Sequence, residues 1–171
     1  MRIEKYHPAI RTLHWIMVLL FALIFVLGAV MVEFKESEPW AMYGLHKSTG
    51  VLVFLLVILR LIARWTTQAP LLPSEIPGLF RGIAHGVVFL MYLCMIIVPI
   101  SGYAMSNIHG YPVKFYGLAL PSIFPKTPEW ESFIDGLHVY AAYTLLALIA
   151  LHILGVVFHH IKGQEILRRI T

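Results

Sequence analysis

Nine histidines stand in a chain of 171 residues in which only 13% are charged. Four of them form a pattern. His138 and His152 are 14 residues apart, close to four turns of an α-helix, so they share one face about 21 Å apart. His46 belongs near the depth of His138 and His14 near that of His152, once the apolar runs described below are laid across a membrane. Each depth then offers two imidazoles from different segments. Two imidazoles per site, with no carboxylate or thiolate at ligand spacing, suit haem iron better than zinc, which takes four ligands from Cys, His and carboxylates. Haem iron held by two protein ligands has no open position for O₂ or a substrate, and its work is electron transfer. The plainer alternative is that one or more of these histidines only bridges helices through hydrogen bonds.

The same step of 14 residues reaches positions that carry no ligand. From His14 it lands on Gly28, where a missing side chain leaves clearance for a flat macrocycle at the depth of the other pair. From His46 it lands on Arg60, whose guanidinium can meet a carboxylate group of a cofactor. Gly44, Gly50, Ala141, Ala142 and Gly155 surround the candidate ligands, and such small residues also allow close helix packing.

Membrane-spanning helices are the elements that must position these groups. Residues of the AVILMFWYC class make up 59% of the chain and the mean hydropathy is +0.79, against roughly 45–50% apolar residues in a soluble domain. One water-soluble core cannot hide that excess. Leu13 to Val32, Gly82 to Asn107 and Gly136 to Ile161 carry no Asp, Glu, Lys or Arg, and each is long enough to cross a bilayer. A fourth run, about Tyr43 to Ala63, has Lys47 and Arg60 near its ends, where both can snorkel. The reading is all-α: a four-helix transmembrane bundle with helices at about 12–33, 43–64, 82–105 and 134–161, forming a single domain over residues 1–171. Continuous rather than alternating apolar runs exclude a β-barrel. Pro70, Pro73 and Pro77 break the second connection, and Pro112, Pro121, Pro125 and Pro128 argue against a long helix in the third.

The net charge of +4 would suggest nucleic acid in a soluble chain, but no clustered basic face is present. Its use here is orientation. The two terminal stretches, the 60–64 flank and Arg81 hold nine of the 13 basic residues against Glu4, Glu75 and Glu165. The positive-inside rule therefore places both termini in the cytoplasm, in a multi-pass inner-membrane protein with lipid around it. Trp15, Trp40, Trp65 and Trp130 fall near the expected interfaces. Cys94 stands alone in an apolar run, so no intrachain disulfide and no C-x-x-C-H haem attachment exist. His7 and His109 read as solvated, and His159 and His160 as interfacial. No nucleophile, paired carboxylate or phosphate-binding loop competes for attention, and His85, His159 and Tyr92 are the candidate polar contacts for a quinone.

Several short strings, in order, resemble the bacterial cytochrome b561 family of four-helix dihaem membrane proteins. They are His14-Trp15, Leu45-His46-Lys47-Ser48-Thr49-Gly50, Pro99-Ile100-Ser101-Gly102, Phe115-Tyr116-Gly117 before Pro121, Gly136-Leu137-His138, His152, His159-His160 and the Leu167-Arg168 tail. The resemblance implies two noncovalent haem b groups, with His46 paired to His138 and His14 to His152, and a quinone as one redox partner. For some members it also implies superoxide as the electron donor, which would make the chain a superoxide:quinone oxidoreductase. Gly163 departs from the pattern, which has an acidic residue there. The expected outer side holds four Lys against six acidic residues, so it supplies no long-range steering for an anion. A second reading keeps the haems in the membrane anchor and electron conduit of a larger complex, such as a hydrogenase or formate dehydrogenase. In that case the loop 106–133, with Tyr111, Phe115, Tyr116 and Phe124, meets the partner subunit.

Overall fold

A computed structural model describes residues 4–34, 40–71 and 76–171. Four long helices dominate it: α1 (Pro8–Glu33), α2 (Trp40–Thr66), α3 (Gly78–Ile108) and α4 (Glu131–Ile161). Every one contains a window apolar enough to cross a membrane, with mean hydropathy from 1.9 to 2.9. At 26 to 31 residues they exceed the roughly 20 that the hydrocarbon layer demands. Their apolar side chains point outward, as with Leu19 at 73% and Ile161 at 77% exposure. In water that surface would drive aggregation; against lipid it is satisfied.

The helices run past the expected ends by up to four residues, because polar residues at the interfaces still belong to helical turns. Pro8 opens α1 at a position where its missing N–H is harmless, and the His7 ring accepts a hydrogen bond from Ala9 N at 3.3 Å. Arg11 and Arg81, Ser106 and Asn107 all lie inside helices. Two ends close in the same way. After α3, Gly110 N donates to Asn107 O at 2.9 Å and Tyr111 N to Ser106 O at 2.8 Å. After α4, Gly163 N donates to His160 O at 3.0 Å and Gln164 N to His159 O at 2.9 Å. This Schellman arrangement needs a left-handed residue, and Gly110 (φ 77°) and Gly163 (φ 74°) supply it. The departure at Gly163 thus has a backbone reason.

Helix α4 packs most extensively on α3, and α1 on α2, with α2 and α3 joining the two pairs. At mid-depth Met17, Val53, Val57, Cys94, Met95 and Leu145 form a buried apolar layer. Tyr6, Trp15 and the 70–71 segment meet the C-terminal residues at one end, here the terminus side. The opposite, loop side carries a short 3₁₀ turn (Pro128–Trp130) and a hairpin, β1 (Lys114–Phe115) with β2 (Leu118–Ala119). Tyr116 (φ 47°) and Gly117 (φ 98°) make its two-residue turn, as the twist of a tight hairpin requires. Ser48 pins the hairpin to α2: its Oγ accepts from Tyr116 N at 3.1 Å and reaches the carbonyls of Lys114 and Gly44, each at 2.9 Å.

Candidate haem sites

On the loop side, the rings of His46 and His138 face each other with centres 6.4 Å apart and planes at 82°. Metal–imidazole bonds of about 2 Å, with roughly 1.2 Å from each nitrogen to its ring centre, put two axial imidazoles roughly 6.4 Å apart across one ion. His46 comes from the α1–α2 layer and His138 from the α3–α4 layer, so the pair bridges the halves of the bundle. The His138 Nδ1 donates to the Val98 carbonyl at 2.9 Å, with Ser101 Oγ at 3.3 Å. That bond puts the ring proton on Nδ1 and leaves Nε2 as the free ligand atom. Pro99, which follows Val98, withdraws one N–H from the α3 ladder. The Nδ1 of His46 is buried with no well-formed hydrogen bond.

Two glycines lie against this pair. A Cβ on Gly28 would stand 3.4 Å from His46 Cε1, and one on Gly102 only 2.8 Å from His138 Cε1. Gly28 is where the 14-residue step placed it. Gly102 was missed because α3 contributes no ligand from which to count, although it lies in the Pro99–Gly102 string. At Gly44 and Gly155 a Cβ would meet nothing within 4 Å, so packing among the described residues does not demand glycine there.

On the terminus side, His14, His152 and Arg60 lie within electrostatic reach of one another. Arg60 Nη1 donates to His14 Nδ1 at 3.0 Å and its Nε to the Tyr92 hydroxyl at 3.1 Å, with Met17 Sδ at 3.9 Å from Nη1. Arginine only donates, so His14 Nδ1 accepts and a neutral ring carries its proton on Nε2. That is the opposite tautomer from His138, and coordination through His14 Nε2 requires Arg60 to turn to another acceptor, such as a carboxylate. Among the described residues no acidic side chain pairs with Arg60, so its charge remains available for an anionic group.

The other histidines fall elsewhere. His7 caps α1, and His85 is exposed at the start of α3. His109 lies between Asp135 at 3.0 Å and Glu131 at 3.5 Å, using a different ring nitrogen for each. His159 bonds Gln164 and touches Phe158 and Phe80. Among the described residues no three of His, Cys, Asp and Glu converge as metal ligands; the imidazoles brought together are His46 with His138, and His14 lies within electrostatic reach of His152.

Four helices long and apolar enough to cross a membrane, with His46 and His138 brought together between them, are consistent with a membrane cytochrome b bundle. Over residues 5–171 the chain matches the family described as prokaryotic cytochrome b561, and it belongs to that family. It is 27% identical to "Cytochrome b561 homolog 2" of Escherichia coli (strain K12), over 95% of this chain and 88% of that one. It is also 28% identical to "Probable superoxide oxidase CybB" of Yersinia pestis, over 96% and 95% of the respective chains. The protein is a multi-pass cytochrome b of the bacterial inner membrane, and membership implies haem b and electron transfer.

Proposed function

We propose that the chain, as one domain over residues 1–171, binds two haem b groups and passes single electrons between a periplasmic donor and the membrane quinone pool. His46 and His138 hold the loop-side haem; His14 and His152 hold the terminus-side one. The observation that carries this reading is the 6.4 Å separation of the His46 and His138 rings. When bound, haem b supplies reversible one-electron chemistry at iron. The chain's own residues fix the ligand rings, exclude water with the apolar layer around Leu145, and place the Arg60 charge beside the lower pair. The positive-inside balance puts both termini in the cytoplasm, so the loop side meets the donor.

The name of the Yersinia pestis relative makes superoxide a candidate donor. Lys114 and Lys47 lie on the loop side, with Lys47 Nζ 5.5 Å from the Tyr111 ring centre, and they offer a local cationic patch despite the acidic total. Haem quantitation with a reduced-minus-oxidised spectrum tests the core of the reading. Two haems b per chain are expected, with His138→Ala or His46→Ala removing only one and His14→Ala or His152→Ala only the other. A single haem, or one substitution that removes both from a folded protein, overturns the pairing. Superoxide-driven reduction of a quinone in proteoliposomes tests the donor, and a stoichiometric catalytic subunit in the purified material would favour the conduit role instead.

A further inference from the structure

Beyond α4 the chain does not trail into solvent. Gly163 turns it back, and Leu167–Arg169 forms a 3₁₀ turn under the terminus side of the bundle. Arg169 is only 4% exposed. Its Nη2 donates to the carbonyls of Pro70 at 2.6 Å and Leu71 at 2.7 Å, and its guanidinium lies 5.8 Å from the Tyr6 ring centre. Its own carbonyl accepts from Tyr6 N at 3.0 Å. A buried cation is costly unless its donors are used, and here they tie the α2–α3 connection to the tail, while the Arg169 carbonyl holds the N-terminal segment through Tyr6. The next residue extends the chain of contacts. The Ile170 carbonyl accepts the Trp15 indole N–H at 3.1 Å, and the Trp15 ring stands edge-on to His14, with centres 5.4 Å apart at 72°.

We propose that the C-terminal turn is a positioning element for the His14 imidazole: Arg169 anchors the turn, Ile170 holds Trp15, and Trp15 sets the plane of the His14 ring. The proposal rests on His14 being the axial ligand of the terminus-side haem. Arg60 holds Nδ1 of the same ring at 3.0 Å and Trp15 meets the ring edge-on, so the tail acts on the ring through Trp15 and tunes the haem bound nearest to it. Arg169 and Trp15 are positioning residues, acting through His14.

The test uses the haem-loaded full chain and the variants Arg169→Ala, Arg169→Lys, Trp15→Phe and the Arg169→Ala/Trp15→Phe pair. Electron paramagnetic resonance reads the relative orientation of the axial imidazoles at each haem separately, and a redox titration reads each potential. The largest g value and the potential of the terminus-side haem are expected to shift in Arg169→Ala and in Trp15→Phe, with the loop-side haem unchanged. The double variant should shift no further than the larger single one, and Arg169→Lys should restore part of the signal. Unchanged terminus-side signals, equal shifts at both haems, or additive shifts in the double variant overturn the proposal. A second measurement does not depend on the haems. In ¹⁵N-indole-labelled protein the Trp15 N–H should exchange about fivefold faster in Arg169→Ala, the change expected from losing one ordinary hydrogen bond; an unchanged rate overturns the clasp itself. If His14→Ala keeps both haems, the ligand assignment fails instead, and the tuning proposal falls with it whatever the Trp15 exchange rate shows.

Discussion

Gly102 lies so close to His138 that a Cβ on it would stand 2.8 Å from Cε1 of the imidazole and 3.1 Å from Nδ1. The ring cannot simply move aside, because its Nδ1 is held on the Val98 carbonyl. Gly102→Ala therefore forces the ring off that bond or pushes the α3 and α4 backbones apart. Overpacking of this kind costs about 1–3 kcal/mol, so loop-side haem retention should weaken by roughly five- to 150-fold while the other haem stays. Haem content per chain after dilution or detergent washing measures it. Gly28→Ala, at an ordinary 3.4 Å contact, should be the milder change.

Arg60 places a positive charge beside His14 without an acidic partner among the described residues. A cation near the iron favours the electron-rich ferrous form. Arg60→Met should lower the terminus-side potential by tens of millivolts, up to about 100 mV at an effective dielectric near 20. Redox titration by difference absorbance decides it; an unchanged potential removes Arg60 from the site.

Ser48, two residues from His46, fastens the hairpin to α2 through the Tyr116 N–H. Ser48→Ala leaves that N–H without its partner, a loss of about 1 kcal/mol. Amide exchange at Tyr116 should rise about fivefold, with proteolysis between Lys114 and Ala119 as an independent check.

At Gly163 the backbone is left-handed. Gly163→Ala should cost about 1 kcal/mol, and Gly163→Val more, because a β-branched side chain tolerates that region least. A lowered midpoint in thermal or denaturant unfolding of the detergent-solubilised protein is the expected result.

The sequence made the four helices legible because uncharged runs of membrane length admit few other structures. The 14-residue step sorts the four histidines by height along the helices, and the structure sets the His46 and His138 rings together, Gly28 against His46 and Arg60 against His14. Gly102 and the Val98 carbonyl escaped that arithmetic. One is on a helix with no histidine at ligand depth, and the other is a backbone acceptor that any residue could supply. Helix ends were read short at Pro8, Trp40, Gly78 and Glu131, where interfacial polar residues look like loop residues. Gly163, which departs from the expected acidic residue, stands where the backbone turns with a positive φ, a requirement that no side-chain pattern announces.

Leu145 stands seven residues from His138 and seven from His152, in the middle of the buried apolar layer. Charge that passes between the two proposed iron centres must cross this layer, about 21 Å along the helix axis within a hydrocarbon slab of about 30 Å. It therefore traverses some two-thirds of the transmembrane voltage, equivalent to roughly 1.5 kcal/mol per 100 mV. An energised membrane, negative inside, would on this account oppose inward electron passage and speed the reverse, coupling the traffic through this small protein to the energy state of the cell.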